Sequence, residues 1–181
     1  VEAKDGHRTG EVLELVGFRL EGEEFGVPIR DVREIIRMQE VTRVPHAPDF
    51  VEGVINLRGQ IVPIIDLRRR LGMSPKESDR DTRIVIVELD GELAGFVVDS
   101  VTEVLRVLED QIEPPPDMVV KQDYITGVGK LEDRLLILLD LCKVLSKEEQ
   151  GKRRMVEEGE ASEGLEVPKA PEEELCRMDR S

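Results

Sequence analysis

This 181-residue sequence predicts an all-β fold, mainly strands with short helices, built as two SH3-like five-stranded β-barrels packed on each other through an apolar seam. Three observations point there. Aromatic residues make up 3% of the chain and Trp is absent, so a core must come from Val, Ile and Leu, which favour pleated, half-buried surfaces. Apolar and polar residues alternate in short runs joined by Gly-containing turns, a hairpin pattern. The chain also repeats itself.

The repeat sets the organisation. "LEGEEFGVPIRDVREII" (20–36) lies on "LDGELAGFVVDSVTEVL" (89–105) at an offset of 69 with no gap, placing Gly22 on Gly91, Gly26 on Gly95 and Glu34 on Glu103. "FVEGVINLRGQIVPIIDLRRRL" (50–71) lies on "YITGVGKLEDRLLILLDLCKVL" (124–145) at an offset of 74, with Gly53 on Gly127 and Asp66 on Asp140. The second copy therefore carries five extra residues, near "EPPPDMVVKQD". Glycines and aspartates in register argue for duplication over a chance match of apolar alternation.

Within each copy, "FRLEGEEFGVPI" and "VIVELDGELAGFVV" read as hairpins. "DVRE" and "SVTE" follow the spacing of a helix-starting capping box, yet Val32, Glu34 and Ile36 alternate as in a strand, so both readings stand. Prolines 45, 48 and 114 to 116 interrupt regular structure. A second hairpin comes next, and Asp66 or Asp140 is placed to cap a short helix, stopped in the first copy by Gly72. About five short strands per copy suit a small closed barrel. Seventy residues alone make a marginal core, which is why the two barrels are expected to share a seam.

The expected boundaries are a disordered N-terminus (1–10), a first barrel (11–78), a second barrel (79–146) and an acidic, disordered tail (147–181). The tail holds 11 acidic and 7 basic residues and few apolar ones, too few to offset the entropy of ordering it. The whole chain carries −14, so the barrels themselves are acidic. That charge repels phosphate backbones, and few rings remain for base stacking, which excludes nucleic acid as a partner. No apolar run approaches the ~18 residues needed to cross a bilayer, and no signal peptide is visible, so a cytoplasmic protein without direct membrane insertion is expected.

Chemistry is hard to find. His7 and His46 stand alone, and no phosphate-cradling, nucleophile-elbow or zinc-protease motif occurs. Cys142 and Cys176 give neither a disulfide framework nor metal spacing and read as incidental thiols. No cofactor and no catalysis are expected. The "NLRG" turn (56–59) is more informative. Asn first and Gly fourth suit a type I turn followed by a left-handed residue, with Arg58 projecting from the tip. An arginine at a tip can be there for solubility alone. The second copy has "KLED", with Glu132 at the equivalent tip, so the barrel accepts the opposite charge and the guanidinium is available to a partner's carboxylates or carbonyls.

The string "GVINLRGQIVPIIDLR", with "FGVPIRDVREII" before it and "FVVDSVTEVL" and "YITGVGKLEDRLLILLDLCKVL" after it, resembles the CheW-like family of bacterial chemotaxis coupling proteins across roughly residues 11 to 146. The resemblance implies two SH3-like barrels, no catalytic activity, and an adaptor linking the regulatory domain of the histidine kinase CheA to the cytoplasmic tips of methyl-accepting chemoreceptors, recruited to membrane-associated arrays. It implies receptor contacts at Arg58, Val32 and Glu34, a kinase-binding role for Gly53, and an apolar receptor groove at Val98, Val101 and Val104. Gly53 reads equally well as a strand glycine needed for close backbone approach, and the three valines equally well as core. The alternatives are a CheW-like regulatory module cut from a larger kinase or a receiver-fused coupling protein, and an enzyme of unknown class.

Overall fold

The computed structural model describes residues 10–117 and 123–145. The expected disordered tail (147–181) and nearly all of the expected disordered start lie outside the described residues. Among the described residues there are eleven strands: β1 (Val12–Leu20), β2 (Glu23–Pro28), β3 (Val32–Arg37), β4 (Val51–Leu57), β5 (Gln60–Asp66), β6 (Arg83–Leu89), β7 (Glu92–Val98), β8 (Ser100–Leu108), β9 (Ile112–Glu113), β10 (Ile125–Lys130) and β11 (Leu135–Leu139). One short helix, α1 (Leu67–Arg70), follows β5, and a helical turn over 141–145 follows β11.

The two-way reading of 31–36 resolves to strand. A single 3-10 turn (Ile29–Asp31) without a side-chain cap leads into β3, whose residues alternate half-buried and exposed. Antiparallel pairing with β6 satisfies a whole row of backbone groups there, more than one capped turn could. The caps expected at the ends of β5 and β11 are present. Asp66 accepts from the amides of Arg68 and Arg69, and Asp140 from that of Lys143; Gly72, at φ 77°, ends the first helix.

The turn at Arg58 differs from the expected type I closure. Leu57 pairs with Gln60, leaving a two-residue loop in which Arg58 and Gly59 both have positive φ, 52° and 84°. That is the type I′ signature, whose twist matches the flanking strands. Glu21-Gly22 and Asp90-Gly91 make the same turn in the other two hairpins that have a glycine at the second loop position.

The strand order corrects the expected division of the chain. One sheet runs β8-β1-β2-β11-β10-β9 and the other β3-β6-β7-β5-β4, so each barrel takes strands from both halves and residues 78/79 mark no structural boundary. The junctions are parallel: β2 with β11 (Phe25 opposite Ile137) and β5 with β7 (Ile65 opposite Phe96). Parallel neighbours cannot be joined by a tight turn, and here each is assembled from hairpins far apart in sequence. Exchanging every strand for its repeat equivalent converts the order β8-β1-β2-β11-β10 into β3-β6-β7-β5-β4, so the duplication is built into the topology with its hairpins swapped.

Each barrel has its own interior, Leu15, Leu105, Val107, Leu136 and Leu138 in one and Ile55, Val62, Ile64, Ile84 and Ile86 in the other. The larger cluster lies between them, where Phe18, Phe25, Leu67, Val85, Phe96, Leu139 and Val144 meet. This is the apolar seam that the small individual cores call for.

Candidate functional site

The crest of the β4–β5 turn carries the most exposed of the expected contacts. Asn56 fixes the turn by accepting from the Gly59 amide through Oδ1 at 2.8 Å. Arg58 Nη2 donates to Glu34 Oε2 at 2.9 Å, with the arginine side chain 79% exposed and the glutamate 26%. Because β3 and β4 end the strand order of their sheet, this pair ties the β4–β5 hairpin to the opposite edge. Val32 lies two residues before Glu34 on β3 and packs, half-buried, against the seam. The β3–β6 register slips between them, however, so Val32 lies opposite Val87 on the seam side whereas Glu34 lies opposite Ile86 on the other side of the sheet; the structure joins Arg58 to Glu34 but not to Val32.

The other barrel shows what the pair is worth structurally. Glu103 on β8, the repeat partner of Glu34, is also paired, but with Arg134 at 3.0 Å, and Arg134 also reaches the buried Glu24 at 3.1 Å. Thr102 Oγ1 donates to the other oxygen of Glu24. Each barrel therefore neutralises this glutamate, one from the crest of its turn and the other from the flank. Reversed charge at Glu132 is tolerated because Arg134 takes over. Arg134 is committed to a buried carboxylate, whereas Arg58, itself 79% exposed, meets a half-buried one at the surface. An exposed pair is worth at most about 1 kcal/mol, so the Arg58 guanidinium can turn to another carboxylate at little cost.

The three valines separate. Val98 is 1% exposed inside the seam and presents no surface to a partner, because it ends β7 with its side chain turned toward the neighbouring barrel. Val101 is half-buried against the same cluster. Val104 is 54% exposed, and of the three it alone offers an open apolar contact.

Gly53 has a local structural reason. Its φ is 148° at a break in the β4–β5 register, and a Cβ there would lie 2.1 Å from the Thr42 carbonyl oxygen. Thr42 and Val54 exchange both backbone hydrogen bonds, at 2.8 and 2.9 Å. In the second copy Gly127 sits at the matching irregularity, where a Cβ would meet Ile112 at 2.6 Å. A neighbouring chain segment occupies the side-chain space in both barrels, the isolated bridge at Thr42 in one and β9 in the other.

Sequence reasoning missed a charged clamp at one end of the seam. Arg68, on α1 and 12% exposed, donates from Nε to Asp99 Oδ1 at 2.6 Å and from Nη2 to Oδ2, and from Nη1 to the Ser74 carbonyl at 2.9 Å. Glu21 in the β1–β2 turn lies 3.6 Å from the same guanidinium, and its amide donates to Asp99 at 3.1 Å. The cluster spans both barrels. The hydrogen bond to Asp99 raises the Arg68 pKa against the opposing effect of burial. Burial pushes Asp99 up, but hydrogen bonds from Arg68 and the Glu21 amide outweigh it and hold the carboxyl below its ordinary value. An arginine inside "IIDLRRRL", too close to the core to be solvated, was the available signal.

Cys142 is disulfide-bonded, and no described cysteine is free, which corrects its reading as an incidental thiol; Cys176 lies outside the described residues. Among the described residues no group of three His, Cys, Asp or Glu side chains could hold a metal ion, and no helix is long and apolar enough to cross a membrane.

Two interleaved SH3-like barrels that display a cationic turn and open apolar strand positions define an interaction module. The family model described as "CheW-like domain" matches residues 14–149. The chain is 43% identical over 138 residues to chemotaxis protein CheW of Klebsiella aerogenes, covering 75% of this chain and 83% of that protein. It is 37% identical over 139 residues to the CheW of Helicobacter pylori, covering 76% and 84%. The crystal structure of the scaffolding protein TtCheW from Thermoanaerobacter tengcongensis superposes with a TM-score of 0.68 at 39% identity, covering 72% of this chain and 90% of that one. The chain belongs to the CheW-like family, and so to the non-catalytic coupling adaptors of chemotaxis.

Proposed function

We propose that this protein couples the histidine kinase CheA, through the kinase's regulatory domain, to the cytoplasmic tips of methyl-accepting chemoreceptors, and acts in the cytoplasm at membrane-associated receptor arrays. The observation that carries this reading is Arg58, held at the crest of a type I′ turn, 79% exposed and paired at the surface with Glu34 at 2.9 Å. Arg58, Glu34, Val32, Val101 and Val104 form the receptor-facing set. Gly53 supports kinase binding indirectly, by letting the chain at Thr42 cross β4. Coupling needs no bond chemistry: a receptor state that favours one arrangement of kinase and adaptor biases kinase activity by the difference in binding free energy. Repetition in an array strengthens contacts that are individually weak.

The test is a pulldown of purified protein with a CheA-type kinase and a receptor cytoplasmic fragment. Arg58→Glu is expected to weaken receptor binding by ~2 kcal/mol or more, as a central interface arginine does, and to leave kinase binding intact. Its folding stability is expected to move by no more than about 1 kcal/mol, the value of an exposed pair. Glu132→Ala is expected to bind both partners normally. Equal receptor loss from both variants, or unfolding of Arg58→Glu, refutes the role of the tip.

A further inference from the structure

The two barrels differ at one strand edge. In the sheet β8-β1-β2-β11-β10-β9, β1 pairs with β8 from Val12 onward, but its rungs with β2 begin only at Leu15, opposite Pro28. Pro28 is the last residue of β2, and the chain then leaves the sheet through the 3-10 turn Ile29–Asp31. Val12, Leu13 and Glu14 are therefore paired along one edge only, and among the described residues no backbone hydrogen bond reaches them on the other. In the second barrel the same place is closed. Glu14 and Ile29 correspond by the repeat to Arg83 and Val98, and those two form the rung that completes β6 against β7. The residues before Arg83 fold into a turn instead of extending as a strand, with the Asp79 carboxylate accepting from the amides of Asp81 and Thr82 at 2.8 and 3.1 Å. One template thus gives a finished edge in one barrel and an unfinished edge in the other.

The unfinished edge borders a cleft of about 680 Å³. Leu13, Leu15 and Leu138 line it, and Gly26 adds no side chain to fill it. Arg30 and Arg106 also line it, with side chains 83% and 76% exposed. Glu14 neutralises Arg106 at 3.2 Å, whereas the carboxylate nearest Arg30, its chain neighbour Asp31, stands 4.0 Å away. In a chain of net charge −14, this rim is a local site for an anion. An open strand edge recruits another extended chain, and such a chain answers all three features at once. Its amides and carbonyls pair with those of Val12 to Glu14, alternate side chains enter the cleft, and a carboxylate meets Arg30. A small apolar molecule would leave the edge unpaired. We propose that this cleft is a strand-addition site for an extended segment of a partner protein, with an aliphatic side chain seated between Leu13 and Leu138 and an acidic residue beside Arg30. The added strand runs antiparallel to β1, because it continues the line that β2 abandons at Pro28. Arg58 and Glu34 belong to the other sheet, so an occupied cleft leaves the Arg58 turn free.

The experiment titrates the full-length chain with a fluorescein-labelled probe peptide, Ser-Thr-Leu-Thr-Asp-Ser, whose leucine and aspartate fall on one face of a strand. Fluorescence anisotropy reads binding, and amide hydrogen exchange maps its place. Saturable binding is expected, with exchange slowed across 12–14 and unchanged across 83–85. Arg30→Glu is expected to weaken binding about fivefold, the range of an exposed charge pair. A peptide N-methylated at the leucine and the following threonine, one of whose amides faces β1, is expected to bind about tenfold more weakly. Arg58→Glu is expected to bind the probe as the wild type does. No binding, equal binding by Arg30→Glu or by the methylated peptide, or unchanged exchange across 12–14 overturns the proposal. A dimer of the free protein with 12–14 already protected also overturns it, since a second copy then fills the edge. None of these readouts uses the kinase or the receptor, so the result is independent of the coupling role.

Discussion

Replacing Gly53 by alanine puts a methyl group 2.1 Å from the Thr42 carbonyl oxygen and 2.7 Å from the carbonyl carbon. Both are backbone atoms, so no rotamer change relieves the clash. The chain at Thr42 has to move off β4, which breaks the two hydrogen bonds it exchanges with Val54, each worth about 1 kcal/mol net. Holding alanine at φ 148° adds strain of order 1–3 kcal/mol. The expected loss is therefore about 3–5 kcal/mol, or roughly 6–20 °C in Tm for a domain of this size. Gly59→Ala is the control. It also has positive φ, 84°, but nothing lies within 4 Å of its Cβ position, so its cost should stay near ~1 kcal/mol. Thermal and urea unfolding followed by circular dichroism measure both. A Gly53→Ala variant no less stable than Gly59→Ala would refute the close-approach argument. The expected result makes any loss of kinase binding by this variant a consequence of a displaced strand.

Three further outcomes follow from the same geometry. Residues 10–78 and 79–145, expressed separately, should each lack cooperative unfolding, and mixing them should restore the β spectrum, because each barrel needs strands from both; a half that folds alone contradicts the interleaved topology. Asp99→Asn should cost about 3 kcal/mol by leaving the Arg68 charge poorly compensated in the seam, measured by urea unfolding. The wild-type contribution of Asp99 is present above its unfolded pKa, near ~4, and is lost as pH falls through the depressed folded value, so Asp99→Asn should flatten that acid limb and Asp99→Glu should not remove it. Phe96→Ala, in the seam, should cost about 3–5 kcal/mol and should loosen both barrels together, read as hydrogen exchange rising in β1 and β6 alike.

Strand content, the duplicated hairpins and the capping aspartates were legible because each depends on near neighbours in sequence: alternation that matches a pleat, a glycine at a turn, a carboxylate beside free helix amides. The same locality made the stretch after Asp31 ambiguous, since a capping spacing and a strand alternation can coexist until a pairing partner is present. The Arg58 turn was placed at the right residues but given the wrong type, because only the twist of the paired strands selects the I′ form. Among the expected contacts, burial divided positions that the pattern could not: Val98 and Val104 are both valines in the stretch FVVDSVTEVL (96–105), yet Val98 is 1% exposed in the seam and Val104 is 54% exposed.

The sequence by itself determined that two copies of one strand pattern exist and which residues turn, cap and alternate, because those preferences act over a few residues. Tertiary structure alone decided which hairpins share a barrel, that Arg58 meets Glu34, and that Arg68 reaches across to Asp99. Those choices depend on pairing and charge compensation between segments dozens of residues apart, and no local pattern records which distant partner will bury the most surface while leaving the fewest charges unmatched.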